Sequence, residues 1–182
     1  MAKQALILVD IQNDYFPSGK WPLVGIEAAA DQAAKVLAAF RERGDLVVHV
    51  RHEFDSADAP FFAPGSDGAK IHGKVANLPG EPVVLKHFVN SFRDTELKAL
   101  LDQHGVESLV VVGHMSHMCV DGAVRAAADF GYPVTVLHDA CATLDLEFNG
   151  VKVPAAQVHA AYMASLAFAY AEVVSTAEYL DR

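Results

Sequence analysis

Short apolar runs recur along the chain, and segments of helical period lie between them. Ala5-Leu6-Ile7-Leu8-Val9, Leu46-Val47-Val48-His49-Val50 and Ser108-Leu109-Val110-Val111-Val112 are nearly continuous in hydrophobicity. Val83-Val84-Leu85, Val134-Thr135-Val136-Leu137 and Val173-Val174-Ser175 are shorter runs of the same kind. A strand with one wet face alternates apolar and polar residues; these runs predict strands covered on both faces. Ala30, Ala33, Ala34, Leu37 and Phe40 recur at helical spacing within 27–43, and Gly44 follows Arg41 and Arg43 as a stop. Further helices are expected from Thr95 to His104, from about Cys119 to Phe130 before Gly131 and Pro133, and from Pro154 to Ala171. Residues 53–81 are rich in Gly and Pro and show no period, which predicts a long loop of the kind used as a lid or binding segment. Strand–helix alternation with no linker or repeat predicts one α/β domain over residues 1–182. Its mainly parallel sheet would lie between helical layers, a three-layer sandwich.

Composition narrows the function classes. The chain has 182 residues, 52% hydrophobic and 20% charged, the balance of a globular protein that buries a sizeable core. A formal net charge of -9 argues against a nucleic-acid partner, which would meet a basic face. No run approaches the roughly 18 apolar residues that a membrane helix needs, so no membrane partner is expected. Met1-Ala2-Lys3-Gln4 leads straight into a short apolar run, unlike a secretory signal, so a cytoplasmic location is expected. Cys119 and Cys141 are too few for a disulfide framework and suit a reducing compartment.

In an open α/β sheet, ligands bind beyond the carboxyl ends of the strands. Asp10 ends the first run, Lys86 the third, and Gly113 to Cys119 follows the fourth. Three reactive residue types from distant parts of the chain therefore converge on one sheet edge. Cys119 is expected to open a helix, whose positive end would favour thiolate, and the Lys86 ammonium would lower the thiol pKa further. Asp10 could take the thiol proton and return it to a leaving group. Backbone N–H groups at the helix start could hold an oxyanion. Cys141 has no helix start at its own position and reads as structural.

The stretches Leu8-Val9-Asp10-Ile11-Gln12-Asn13-Asp14-Tyr15-Phe16, Leu85-Lys86-His87-Phe88-Val89-Asn90-Ser91-Phe92 and Gly113-His114-Met115-Ser116-His117-Met118-Cys119-Val120-Asp121 resemble the isochorismatase-like hydrolase superfamily. Ala126 to Tyr132 and Asp139-Ala140 extend the likeness over nearly the whole chain. The resemblance implies a catalytic triad of Asp10, Lys86 and Cys119. It implies a cis peptide at His114-Met115, with the Met115 and Cys119 amides as oxyanion hole. It also implies a Rossmann-like fold of about six strands in the order 3-2-1-4-5-6, a homodimer or homotetramer, and a small-molecule substrate.

Members of the superfamily that hydrolyse a vinyl ether lack the cysteine, so the resemblance points instead to cleavage of a C–N bond in an amide, ureide or similar compound. Nicotinamidases carry an Asp-x-His and a second His that hold a metal. Here the matching segment reads Val48-His49-Val50-Arg51-His52-Glu53-Phe54, without the Asp-x-His. His49 and His52, three apart on a strand, point to opposite faces. His52, Glu53 and His72 remain a possible metal set, which leaves a metal-dependent nicotinamidase and a catalytically silent binding member as rival readings; the preferred one needs no metal and no cofactor. Arg51 and His52 are expected to contact polar substrate groups, and Phe16, Trp21, Phe61 and Phe62 to line an apolar pocket. Of His114 and His117, the first is expected to face substrate.

Overall fold

The computed structural model describes residues 3–182; Met1 and Ala2, where the sequence reading begins, lie outside the described residues. Six parallel strands form the sheet: β1 (Gln4–Val9), β2 (Leu46–His52), β3 (Val83–Lys86), β4 (Ser108–His114), β5 (Val134–Ala142) and, after the hairpin strands β6 (Leu146–Phe148) and β7 (Val151–Val153), β8 (Glu172–Val174). Their order is β3-β2-β1-β4-β5-β8. With the hairpin set aside, that is the 3-2-1-4-5-6 order that the resemblance implies. The hairpin's run, Leu146 to Val153, is largely exposed and too short and polar to announce itself in the sequence.

Both sheet faces are dry because the strands alternate between two apolar layers. Leu6, Leu8, Val47, Val110 and Val112 face α1 (Ile26–Arg43) on one side. Ile7, Val9, Val48, Val50 and Val111 face the other, against α2 (Leu97–Gln103), α3 (Asp121–Asp129) and α4 (Ala155–Ala169). A last short helix, α5 (Thr176–Leu180), starts on a capping box made by Ser175 and Glu178 and sets Tyr179 against the α1 layer.

Register brings the strand ends level. Val9 pairs with Val50 on one side and with Gly113 on the other, and His52 pairs with Lys86. At Gly113, φ is +132°, and a Cβ would lie 2.0 Å from the Val9 carbonyl oxygen. Only glycine lets β4 run this close to β1 at the point where both strands reach the site. The segment 53–81 is mostly irregular, with two short 3₁₀ turns at Asp67–Ala69 and Gly73–Val75.

Candidate active site

Asp10, Lys86 and Cys119 meet beyond the carboxyl ends of β1, β3 and β4. Asp10 is the first residue after β1 and adopts φ +51°, its N–H donating to the Val50 carbonyl at 2.9 Å. Its Oδ2 lies 2.8 Å from Lys86 Nζ, with both side chains wholly buried. Lys86 Nζ in turn donates to Cys119 Sγ at 3.2 Å, to the Phe88 carbonyl at 3.1 Å, and contacts His52 Nδ1 at 2.8 Å. Four electron-rich atoms thus surround one ammonium. Ligand atoms of Asp10, His52 and Cys119 lie within 4.8 Å of one another, a spacing that would suit a metal ion. The lysine nitrogen sits among them, so the ammonium itself is the cation of this cluster.

Charge states follow from burial and from these contacts. Burial raises the Asp10 pKa above its ordinary 3.8, and the Lys86 ammonium opposes that rise. Burial works against the charge of Lys86, but Asp10 and Cys119 outweigh it and hold its pKa above 10.5. The cysteine corrects the sequence reading. Burial, followed by the neighbouring Asp10 carboxylate, pushes the Cys119 thiol up rather than down. The helical segment also begins earlier than expected: a single π-helical turn spans Ser116–Val120 and runs into α3, so Cys119 lies inside the first turn and not at its start. The thiol is thus held neutral beside a carboxylate that could accept its proton.

The peptide bond between His114 and Met115 is cis. Among the described residues the Met115 N–H finds no backbone acceptor, and the Met115 carbonyl accepts from the N–H groups of Met118 and Val120. His117 Nδ1 lies 2.6 Å from Thr143 Oγ1, and Ser116 Oγ lies 2.8 Å from His159 Nδ1, so the turn carrying Cys119 is tied to the end of β5 and to α4.

The residues assigned to substrate on sequence grounds divide. His52 is in the cluster. Phe61, Trp21 and Phe54 form a ring-to-ring chain that ends on it: Trp21 to Phe61 at 4.8 Å, Phe61 to Phe54 at 5.2 Å, Phe54 to His52 at 4.6 Å. Phe62 packs edge-on against Phe61 and Tyr15. Phe16 is turned away, stacked on His72 at 3.5 Å. Arg51 is not brought to the triad either: as the alternation of β2 requires, it leaves on the face opposite His52 and pairs with Glu53 at 2.7 Å. His114 also departs from expectation. It is fully buried, its Nδ1 accepts the Ala142 N–H at 3.0 Å, and burial drives its pKa down to about 3. It binds β4 to β5, while the half-buried His117 is tied to Thr143. The metal set of His52, Glu53 and His72 does not assemble, because Glu53 is turned to Arg51 and His72 to Phe16.

Two residues that sequence reasoning passed over build the wall of the site. Gln12 is fully buried; its amide donates to the His52 and Ala69 carbonyls at 2.8 Å, and its oxygen accepts the His52 N–H at 2.7 Å. Asp14 accepts the Phe62 N–H at 2.7 Å and the Lys20 N–H at 3.1 Å. Both fall in the stretch Asp10 to Phe16. Their signal in the sequence is polarity directly after a buried strand.

Residues 4–178 match the Isochorismatase domain family. The chain is 48% identical over 176 residues to the uncharacterized isochorismatase family protein YddQ of Bacillus subtilis, covering 97% of this chain and 98% of that one. It is 30% identical over 155 residues to a maleamate amidohydrolase of Pseudomonas putida, covering 75% and 71%. A crystal structure from Oleispira antarctica assigned to the isochorismatase hydrolases superposes with a TM-score of 0.96 at 62% identity, covering 99% of this chain and 97% of that one.

Proposed function

The chain belongs to the isochorismatase family, and on that premise we propose that it is a cysteine hydrolase that cleaves a C–N bond of a small amide, ureide or similar compound. The observation that carries the reading is one buried ammonium, Lys86 Nζ, held 2.8 Å from Asp10 and 3.2 Å from Cys119. Nothing in a purely structural role calls for a thiol, a carboxylate and an ammonium together in a dry site, since burying such a pair costs more than an apolar replacement.

The chemistry runs in two halves. Asp10 takes the Cys119 thiol proton as sulfur bonds to the substrate carbonyl carbon, and the carbonyl oxygen becomes an oxyanion held by the Met115 and Cys119 amides. The C–N bond then breaks, and the departing nitrogen receives the proton from Asp10. Water next attacks the thioester and gives its proton to Asp10. The C–S bond breaks, the acid leaves, and Asp10 returns that proton to sulfur. Lys86 keeps its charge throughout and offsets the negative charge that passes between Asp10 and Cys119.

The amidohydrolase activity of the Pseudomonas relative supports the bond type. The nicotinamidase reading has less support, because Glu53 and His72 do not converge on His52. A panel of amides, ureides and hydrazides assayed for ammonia or amine release tests the proposal. Any compound cleaved by the wild type is expected to lose at least about a thousandfold in rate with Cys119→Ala; retained turnover in that variant would falsify the mechanism.

A further inference from the structure

His52 ends β2 and belongs to no triad, yet it touches the centre of one. We infer that His52 is a substrate-orienting residue, a neutral imidazole that Lys86 locks as the Nε2–H tautomer and that offers this N–H to a second acceptor oxygen on the substrate. The inference rests on the hydrolase reading and narrows its substrate class.

Lys86 has three ammonium hydrogens and no lone pair, so the 2.8 Å contact to His52 Nδ1 requires that nitrogen to accept. The ring proton therefore sits on Nε2. Protonation of the whole ring would place a second cation against Lys86, and burial with that charge holds the His52 pKa down to about 3.

Among the described residues His52 Nε2 has no hydrogen-bond partner, although the residue is only 5% exposed. A buried donor without an acceptor is costly and calls for an explanation. Rings close the apolar sides: Phe54 at 4.6 Å and Phe62 at 6.2 Å from the imidazole centroid. Gln12 fixes the backbone of His52 through both its N–H and its carbonyl, and the Nδ1 contact to Lys86 holds the ring itself. The donor stays beside the nucleophile, within a small molecule's reach of Cys119, because the imidazole and the sulfur contact the same ammonium. A carbonyl compound with a second acceptor oxygen a few bonds from the scissile carbon, such as a ureide or a half-amide of a dicarboxylic acid, would satisfy it. A plain alkyl amide would not.

Succinamate and butyramide form a matched pair, with a carboxylate in one where the other has a methyl group. Proton–nitrogen spectra of protein carrying 15N-histidine are expected to place the His52 proton on Nε2 and to show no titration down to about pH 5, well below the ordinary histidine range. In Cys119→Ala, which holds ligand without turnover, succinamate should move the Nε2–H resonance and butyramide should not. With an active site intact, His52→Asn keeps an acceptor near the Nδ1 position but loses the outer donor. It should lower kcat/KM for succinamate about tenfold more than for butyramide. A proton on Nδ1, titration near neutrality, no response to succinamate, or equal loss on both substrates would each overturn the inference. If neither compound is cleaved by the wild type, the hydrolase reading suffers, while the spectra still decide the role of His52.

Discussion

At the residue scale, the site is governed by one charge balance. Asp10 and Lys86 are buried together, and each is tolerable only beside the other. Asp10 has a folded pKa above its unfolded value, so on its own it favours the fold most below pH 3.8 and loses that contribution as pH rises through its folded pKa. Lys86 is raised too, so its contribution is complete below 10.5 and is lost only above that, in the alkaline range. Removing the ammonium with Lys86→Met strands the carboxylate at neutral pH. We expect a loss of about 3–5 kcal/mol near pH 7, shrinking as the pH falls and Asp10 becomes protonated in both proteins. Denaturant unfolding of the pair at several pH values measures it, and a loss that does not depend on pH would contradict the assigned charges.

At the element scale, the sheet was legible because buried parallel strands are written as unbroken apolar runs, and each of the six runs became a strand. The triad was legible for a related reason: strand ends are where α/β sheets place chemistry, so Asp10, Lys86 and Cys119 stood out by position. Charge states were not legible. A helix start favours a thiolate, but burial is a property of the assembled core, and it pushes the Cys119 thiol up. The wall of the site was also hidden. Alternation along β2 could have shown that Arg51 and His52 part ways, whereas the grip of Asp14 on the 53–81 segment depends on contacts between residues 48 apart. Gly68 tests that grip, because a Cβ there would lie 2.2 Å from the Asp14 carboxylate. Gly68→Ala should lower Tm by on the order of 5 °C through overpacking and reduce activity with it. Calorimetry and the amide assay together check this, and an unchanged Tm would show that the loop is not clamped by Asp14.

At the scale of the whole molecule, the surface carries an uneven distribution of charge. Net charge is -9, yet no charged side chain occurs between Lys152 and Glu172, the stretch that holds α4. Phe168 on this helix is 92% exposed. Two acidic copies repel wherever their carboxylates meet, and this uncharged apolar face is where they would meet at least cost. A homo-oligomer paired through α4 is therefore expected, and Phe168→Asp should shift the sedimenting species toward the monomer; no shift would remove α4 from the interface. No described helix is long and apolar enough to cross a membrane.

In the proposed mechanism Cys119 becomes covalently acylated during turnover. Acid-quenched mass spectrometry of the enzyme mixed with a compound it hydrolyses tests this most directly. The peptide containing Cys119 is expected to gain the mass of the substrate's acyl part, and Cys119→Ala to show no such gain. Steady turnover with Cys119 unmodified at every quench time would contradict it.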